Sequence, residues 1–151
     1  MTNGTKPRIL YLQNILTERT DEKNPLSTNQ IIKIFQDDYG ILAHRTTISK
    51  DIEALIEFGI EIVTIHTTQS KYYVNKRLFV TAELKLLVDA VETSKVITTN
   101  KSKNLINKIR CLTSVGQARE LKRNNFTVKR VESDNELIYE ITNTINEAIN
   151  K

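Results

Sequence analysis

Tryptophan is missing from this 151-residue chain, and cysteine, methionine, proline and glycine are scarce, at 1, 1, 2 and 4 residues. Each shortage removes a class of explanation. The single cysteine, Cys111, excludes an internal disulfide, and the apolar series Leu105, Ile109 and Leu112 around it predicts a small buried hydrophobe rather than a redox sensor. So few glycines leave no Gly-rich loop to cradle phosphates. The two histidines, His44 and His66, have no cysteine or carboxylate at metal-ligand spacing, so no zinc site is expected. No apolar run approaches the roughly 18 residues needed to cross a bilayer. The opening residues Met1, Thr2, Asn3, Gly4, Thr5 and Lys6 lack the apolar core of a signal peptide, so a cytoplasmic chain with no membrane partner is expected. Asp37 and Asp38 read as an acidic pair at a helix end, not an acid and base couple. With no catalytic constellation in view, the expectation is a protein that is not an enzyme and needs no cofactor.

What is present is concentrated in residues 27–74. Ser27, Thr28, Asn29 and Gln30 have the S-x-x-Q spacing of a capping box, which predicts a helix that buries Ile31, Ile34 and Phe35 and ends at Tyr39 and Gly40. A second helix opens around His44 and Arg45 and puts Ile48, Ile52, Leu55 and Ile56 on one face, with Gly59 suited to a left-handed position just past its end. Residues 61–65 then alternate polar and apolar, Thr67, Thr68, Gln69 and Ser70 form a polar tip, and Lys71, Tyr72, Tyr73 and Val74 return as a strand. Upstream, Pro7 introduces a helix with Ile9, Leu12, Ile15 and Leu16 inward, and residues 21–25 read as a polar loop. The order predicts a winged helix-turn-helix over residues 1–76.

At about 100° per residue, the side of the second helix facing away from Ile48 carries Thr46, Thr47, Lys50, Glu53, Ala54 and Glu57, flanked by Arg45 and Ser49. A recognition helix reads base edges with its first residues in the major groove, where Arg and Lys suit guanine and Ser and Thr adapt. Arg45, Thr46, Thr47, Ser49 and Lys50 fit that role, and the hairpin over 60–74, with Thr67, Gln69, Ser70 and Lys71 at its tip, fits a wing on the phosphates or the minor groove. Polar residues on the outward side of a surface helix also suit a winged helix used only for protein contacts. That alternative stays open.

Residues 45–59, R-T-T-I-S-K-D-I-E-A-L-I-E-F-G, resemble the DeoR-type recognition helix, whose pattern is roughly R-T-I-x-R-D-I-x-x-L-x-x-x-G. Residues 78–91, L-F-V-T-A-E-L-K-L-L-V-D-A-V, resemble the linker helix that follows it in WYL-domain transcriptional regulators. His44 stands where that family often has Ser or Thr, and Lys50 where Arg is more usual; a lysine is a point charge, not a planar fork. The resemblance implies a regulator that binds double-stranded DNA sequence-specifically. It also implies a WYL domain responding to a small-molecule or nucleotide effector, and no such domain is visible here. The chain is therefore expected to be part of a larger regulator, with a naturally short protein as the alternative.

Charge separates the two halves. Residues 1–76 hold nine Lys or Arg and nine Asp or Glu, whereas residues 101–130 hold nine basic residues against Glu120 alone, a net of +8. Phosphate neutralisation drives most non-specific DNA affinity, so Lys122 and Arg123 are candidates for extra phosphate contacts. The same residues also suit a solvated helix face, or a surface meeting the acidic final helix.

Residues 77–151 are expected to be a helical linker region. A helix over 81–94 carries a broad stripe of Val80, Leu84, Leu87, Val88 and Val91, widened by Leu86 and Ala90, and this is the candidate interface of a homodimer. Packing on helices of the same chain would account for the stripe as well. Thr98, Thr99 and Asn100 cap a helix with Leu105, Ile106, Ile109 and Leu112, which residues 113–116 break, and a short helix follows over 117–123. Residues 126–131 alternate like a strand, and Ser133 with Glu136 form a second capping box before a stripe of Ile138, Ile141, Ile145, Ala148 and Ile149. The overall class expected is mainly α with a small β-hairpin.

Overall fold

The computed structural model describes residues 5–94, 97–122 and 138–149. In chain order the elements are α1 (Thr5–Arg19), β1 (Leu26–Ser27), α2 (Thr28–Tyr39), α3 (Arg45–Glu57), β2 (Ile62–Ile65), β3 (Lys71–Val74), α4 (Thr81–Thr93), α5 (Thr99–Arg110), α6 (Val115–Lys122) and α7 (Ile138–Ile149). The class is mainly helical with a small antiparallel sheet. The strand at 126–131 and the capping box at Ser133 and Glu136 lie outside the described residues.

Local chemistry sets the helix ends. Ser27 Oγ accepts from Gln30 N at 3.3 Å while Gln30 Oε1 accepts from Ser27 N at 2.8 Å, the reciprocal box that starts α2. Gly40 stops it at φ +63°, where a side chain would be strained, and Ile41 N reaches back to Phe35 O at 2.9 Å. Gly59 does the same after α3 at φ +105°. At α4 only half a box forms, because Glu83 Oε2 accepts from Val80 N at 2.9 Å and valine has no side-chain acceptor to return the bond.

Residues 21–25 form the expected polar loop, closed by a bridge between Asp21 and Asn24, and just beyond it Leu26 and Ser27 form an unexpected strand that pairs with β3, Leu26 opposite Tyr72 and Ser27 opposite Lys71. The sheet is therefore three-stranded and antiparallel, in the order β1-β3-β2, with Ile62 opposite Val74 and Ile65 opposite Lys71. This short strand protects one edge of the hairpin.

Leu12, Leu16, Ile31, Phe35 and Ile48 are all fully buried, so α1, α2 and α3 close one core on the sheet residues Ile62, Tyr72 and Val74. Ile9 and Ile34 pack at its margin. Ile56, expected in the α3 stripe, is 43% exposed. Asp51 takes the other side of that stripe instead, which turns Ile56 outward. A second, smaller core joins Leu84 and Val88 of α4 to Ile106 and Ile109 of α5 and Leu121 of α6. The expected α4 stripe splits here: Val80, Leu86 and Leu87 are exposed, since α5 and α6 cover only the Leu84 and Val88 side. Leu112 is also exposed, and Val115 and Gly116 begin α6 rather than ending α5, because Ser114 Oγ accepts from Gln117 N at 3.1 Å and starts the helix there. In α7, Ile141, Ile145 and Ile149 are exposed.

Cys111 is exposed, against the expectation of burial. It follows Ile109 by two positions, about 200° around the helix, which takes it off the apolar side.

The two cores meet through polar groups. Arg77 Nη2 donates to Thr20 O at 2.6 Å and Ser114 Oγ donates to the buried Asp21 carboxylate, while Thr20 Oγ1 is held within the first unit by accepting from Val74 N at 3.1 Å. Gly116 packs so closely there that an added Cβ would lie 2.6 Å from Asn24 Nδ2 and 2.7 Å from Asp21 Oδ2.

Candidate functional site

Thr28 and Asn29 are consecutive in the first turn of α2, so their Cα atoms stand about 3.8 Å apart. Each holds a different predicted site residue. Thr28 N donates to Ser70 O at 3.2 Å and so anchors the base of the hairpin tip. Asn29 Oδ1 accepts from Arg45 Nε at 3.2 Å and so anchors the first residue of α3. One turn of α2 thus brings the start of α3 and the returning end of the β2–β3 loop to the same side of the molecule.

Around that point the predicted side chains divide by exposure. Arg45, Thr46 and Lys50 are exposed, while Thr47 and Ser49 are half-buried, with Ser49 Oγ donating to Arg45 O at 3.2 Å. In the loop, Gln69 is exposed and Ser70 half-buried, and Lys71 is exposed on β3. Thr67 Oγ1 donates to Gln69 O at 2.6 Å, which tightens the tip. His44 is the N-cap of α3 and makes no side-chain cap bond, while its carbonyl accepts from Thr47 N and Ile48 N, each at 3.0 Å. Lys122 is the last residue of α6, and Arg123 lies outside the described residues.

The rotation of α3 about its axis is set from the opposite side by an ion pair. Asp51, 4% exposed, accepts from Arg8 Nε at 2.6 Å and from Arg8 Nη2 at 3.0 Å. Two parallel bonds from a planar guanidinium fix direction as well as distance. The hydrogen bond to Asp51 raises the Arg8 pKa above its ordinary value, so this arginine stays charged. Arg8, Thr28, Asn29 and Asp51 are not among the residues expected from sequence to matter here. Asp51 had a readable signal, for it lies three residues after Ile48 and four before Leu55, on the inward side, where a carboxylate needs a partner. Nothing local in sequence marks Arg8 as that partner, 43 residues away.

At the junction of the two cores, burial works to raise the Asp21 pKa, but hydrogen bonds from Ser114, Asn24 and the backbone of Lys23 outweigh it and hold the carboxyl below its usual range. Burial lowers the pKa of the Arg77 guanidinium beside it. Glu120, the one acid of the basic segment, pairs with Lys23 at 2.7 Å across the same junction, with both side chains largely in solvent.

Among the described residues no three His, Cys, Asp or Glu side chains are placed to hold a metal ion, and no helix is long and apolar enough to cross a membrane. Comparison with protein-family models, curated proteins and solved structures finds no match to this chain.

Proposed function

We propose that this chain is a sequence-specific reader of double-stranded DNA of the winged helix-turn-helix type, acting without catalysis in the manner of DeoR-type transcription regulators of the WYL-domain family. The observation that carries the reading is the exposed first face of α3, with Arg45, Thr46 and Lys50 outward and Asp51 tied inward to Arg8. A helix held at one rotation presents the same side chains to every base pair it meets, which direct readout requires. Support also comes from the order of helices and strands, with α2 and α3 joined by residues 40–44, and from the loop at 66–70 anchored next to Arg45. In this reading α3 enters the major groove and the loop lies on the backbone or the minor groove. Lys122 and Arg123 would add phosphate contacts of no sequence preference. The exposed Val80, Leu86 and Leu87 on α4 supply the apolar surface for a homodimer, which would double the number of bases read.

A second reading has its own observation. Leu42, just before α3, and Phe58, just after it, are each 80% exposed, and residues 1–76 carry no net charge. Those features suit a protein partner.

Lys50→Glu separates the two. Its side chain is exposed, so circular dichroism and the unfolding midpoint should stay unchanged. Affinity for a duplex from upstream of its own gene, measured by fluorescence anisotropy, should fall at least about tenfold, equivalent to about 1.4 kcal/mol. Unchanged affinity would remove α3 from the interface and favour the protein-contact reading.

A further inference from the structure

A cavity of about 480 Å³ lies where the C-terminal end of α1 faces α5 and α6, within the range that small-ligand sites occupy. Val115, Ala118 and Cys111 give it apolar walls, Arg110 and Arg119 supply two cations, and Glu18 stands on the α1 side. Among the described residues, neither core extends into it, and none of those assigned to DNA contact lines it.

Arg110 is its most informative member. The Nε of Arg110 is buried and has no hydrogen-bond partner among the described residues, and Nη1 reaches Asn107 Oδ1 only at 3.5 Å. A buried guanidinium N–H without an acceptor costs free energy, and the acceptor that matches a guanidinium at a cavity wall best is an oxyanion. The walls narrow the class further. Inorganic phosphate would satisfy Arg110 and leave Val115 and Ala118 without a partner, whereas an alcohol would cover the walls and leave the charge uncompensated. Glu18 disfavours a second negative charge at the other side.

We propose that this cavity binds a small amphipathic monocarboxylate, with the carboxylate on Arg110 and the apolar body against Val115, Ala118 and Cys111. Such a ligand touches α1 on one side and α5 and α6 on the other. Its binding therefore strengthens the junction that Asp21 and Ser114 make nearby, and ligand raises the unfolding midpoint by mass action.

Octanoate is a suitable probe, with 1-octanol and inorganic phosphate as controls on the intact chain. Octanoate should bind saturably by calorimetry and slow the alkylation of Cys111 by iodoacetamide severalfold, while the two controls do neither. Arg110→Met should weaken octanoate at least about tenfold, and Ala118→Trp, which fills the cavity, should abolish binding, each with an unchanged circular dichroism spectrum. The Cys111 measurement needs no variant and stands if either substitution perturbs folding. Equal binding of 1-octanol and octanoate, no protection of Cys111, or full affinity in both folded variants would overturn the proposal.

Discussion

Among the described residues, the unit built from α1, α2, α3 and the sheet closes a core of eleven buried apolar residues that includes Leu16, Ile31 and Phe35, whereas the α4, α5 and α6 layer closes one of five around Leu84. The first can hold itself together by apolar burial. The second docks on the first through the hydrogen bonds of Ser114 with Asp21 and of Arg77 with Thr20, contacts that charge and pH can alter. Rigidity is thus placed under α3, and the more easily altered contacts lie where the second layer docks.

The contrast predicts unequal responses to similar cavities. Phe35→Ala should cost about 3–5 kcal/mol and unprotect amides of both regions in hydrogen exchange, because it empties the centre on which α3 rests. Leu84→Ala, about 2–5 kcal/mol by the same principle, should raise exchange in α4, α5 and α6 while α2 and α3 keep their protection. Equal loss in both regions would show one cooperative unit and end the comparison.

Asp51→Ala comes next, with a loss of up to about 3 kcal/mol, because it strands the partly buried Arg8. Asp51→Asn should cost less by keeping one acceptor. Urea unfolding measures both, and the proposed DNA affinity should fall with Asp51→Ala although Asp51 faces away from the duplex.

Acid should act on the junction before the first core. The folded-state pKa of Asp21 is depressed, so its contribution is complete above the unfolded value of about 3.9 and is lost as pH falls through the folded value. Hydrogen exchange in α6 between neutral pH and pH 3, corrected for intrinsic rates, should show that loosening, and Asp21→Asn should flatten it. The smallest effect is expected from Glu120→Gln. It breaks the exposed pair with Lys23, and the unfolding midpoint should not move measurably.

How much of this could be read beforehand follows from the range of each interaction. Ser27, Gln30, Gly40 and Gly59 act within a few residues, and the boundaries they predict for α2 and α3 agree with the structure. Periodicity found the inward residues of α1 and α2 for the same reason. It failed for Ile56, where the rotation of a helix depends on a distant partner, Arg8 for Asp51, and it could not say which part of the α4 stripe α5 and α6 would cover. The strand at Leu26 and Ser27 is too short to carry an alternating pattern and exists because Tyr72 and Lys71 pair with it. Of the proposed interface, Arg45, Thr46 and Lys50 were recognisable as outward residues of one helix. Their juxtaposition with Ser70 through Thr28 and Asn29 was not, since it joins segments 42 and 16 residues apart.

The most direct test of the central proposal is selection of duplexes from a random library by the intact chain, followed by anisotropy on the enriched and a scrambled sequence across a salt series. The account predicts one enriched motif, bound more tightly than its scramble at every salt concentration, with affinity falling as salt rises and the preference lost in Lys50→Glu. No enrichment, together with equal binding of both duplexes by the parent chain and the variant, would contradict it.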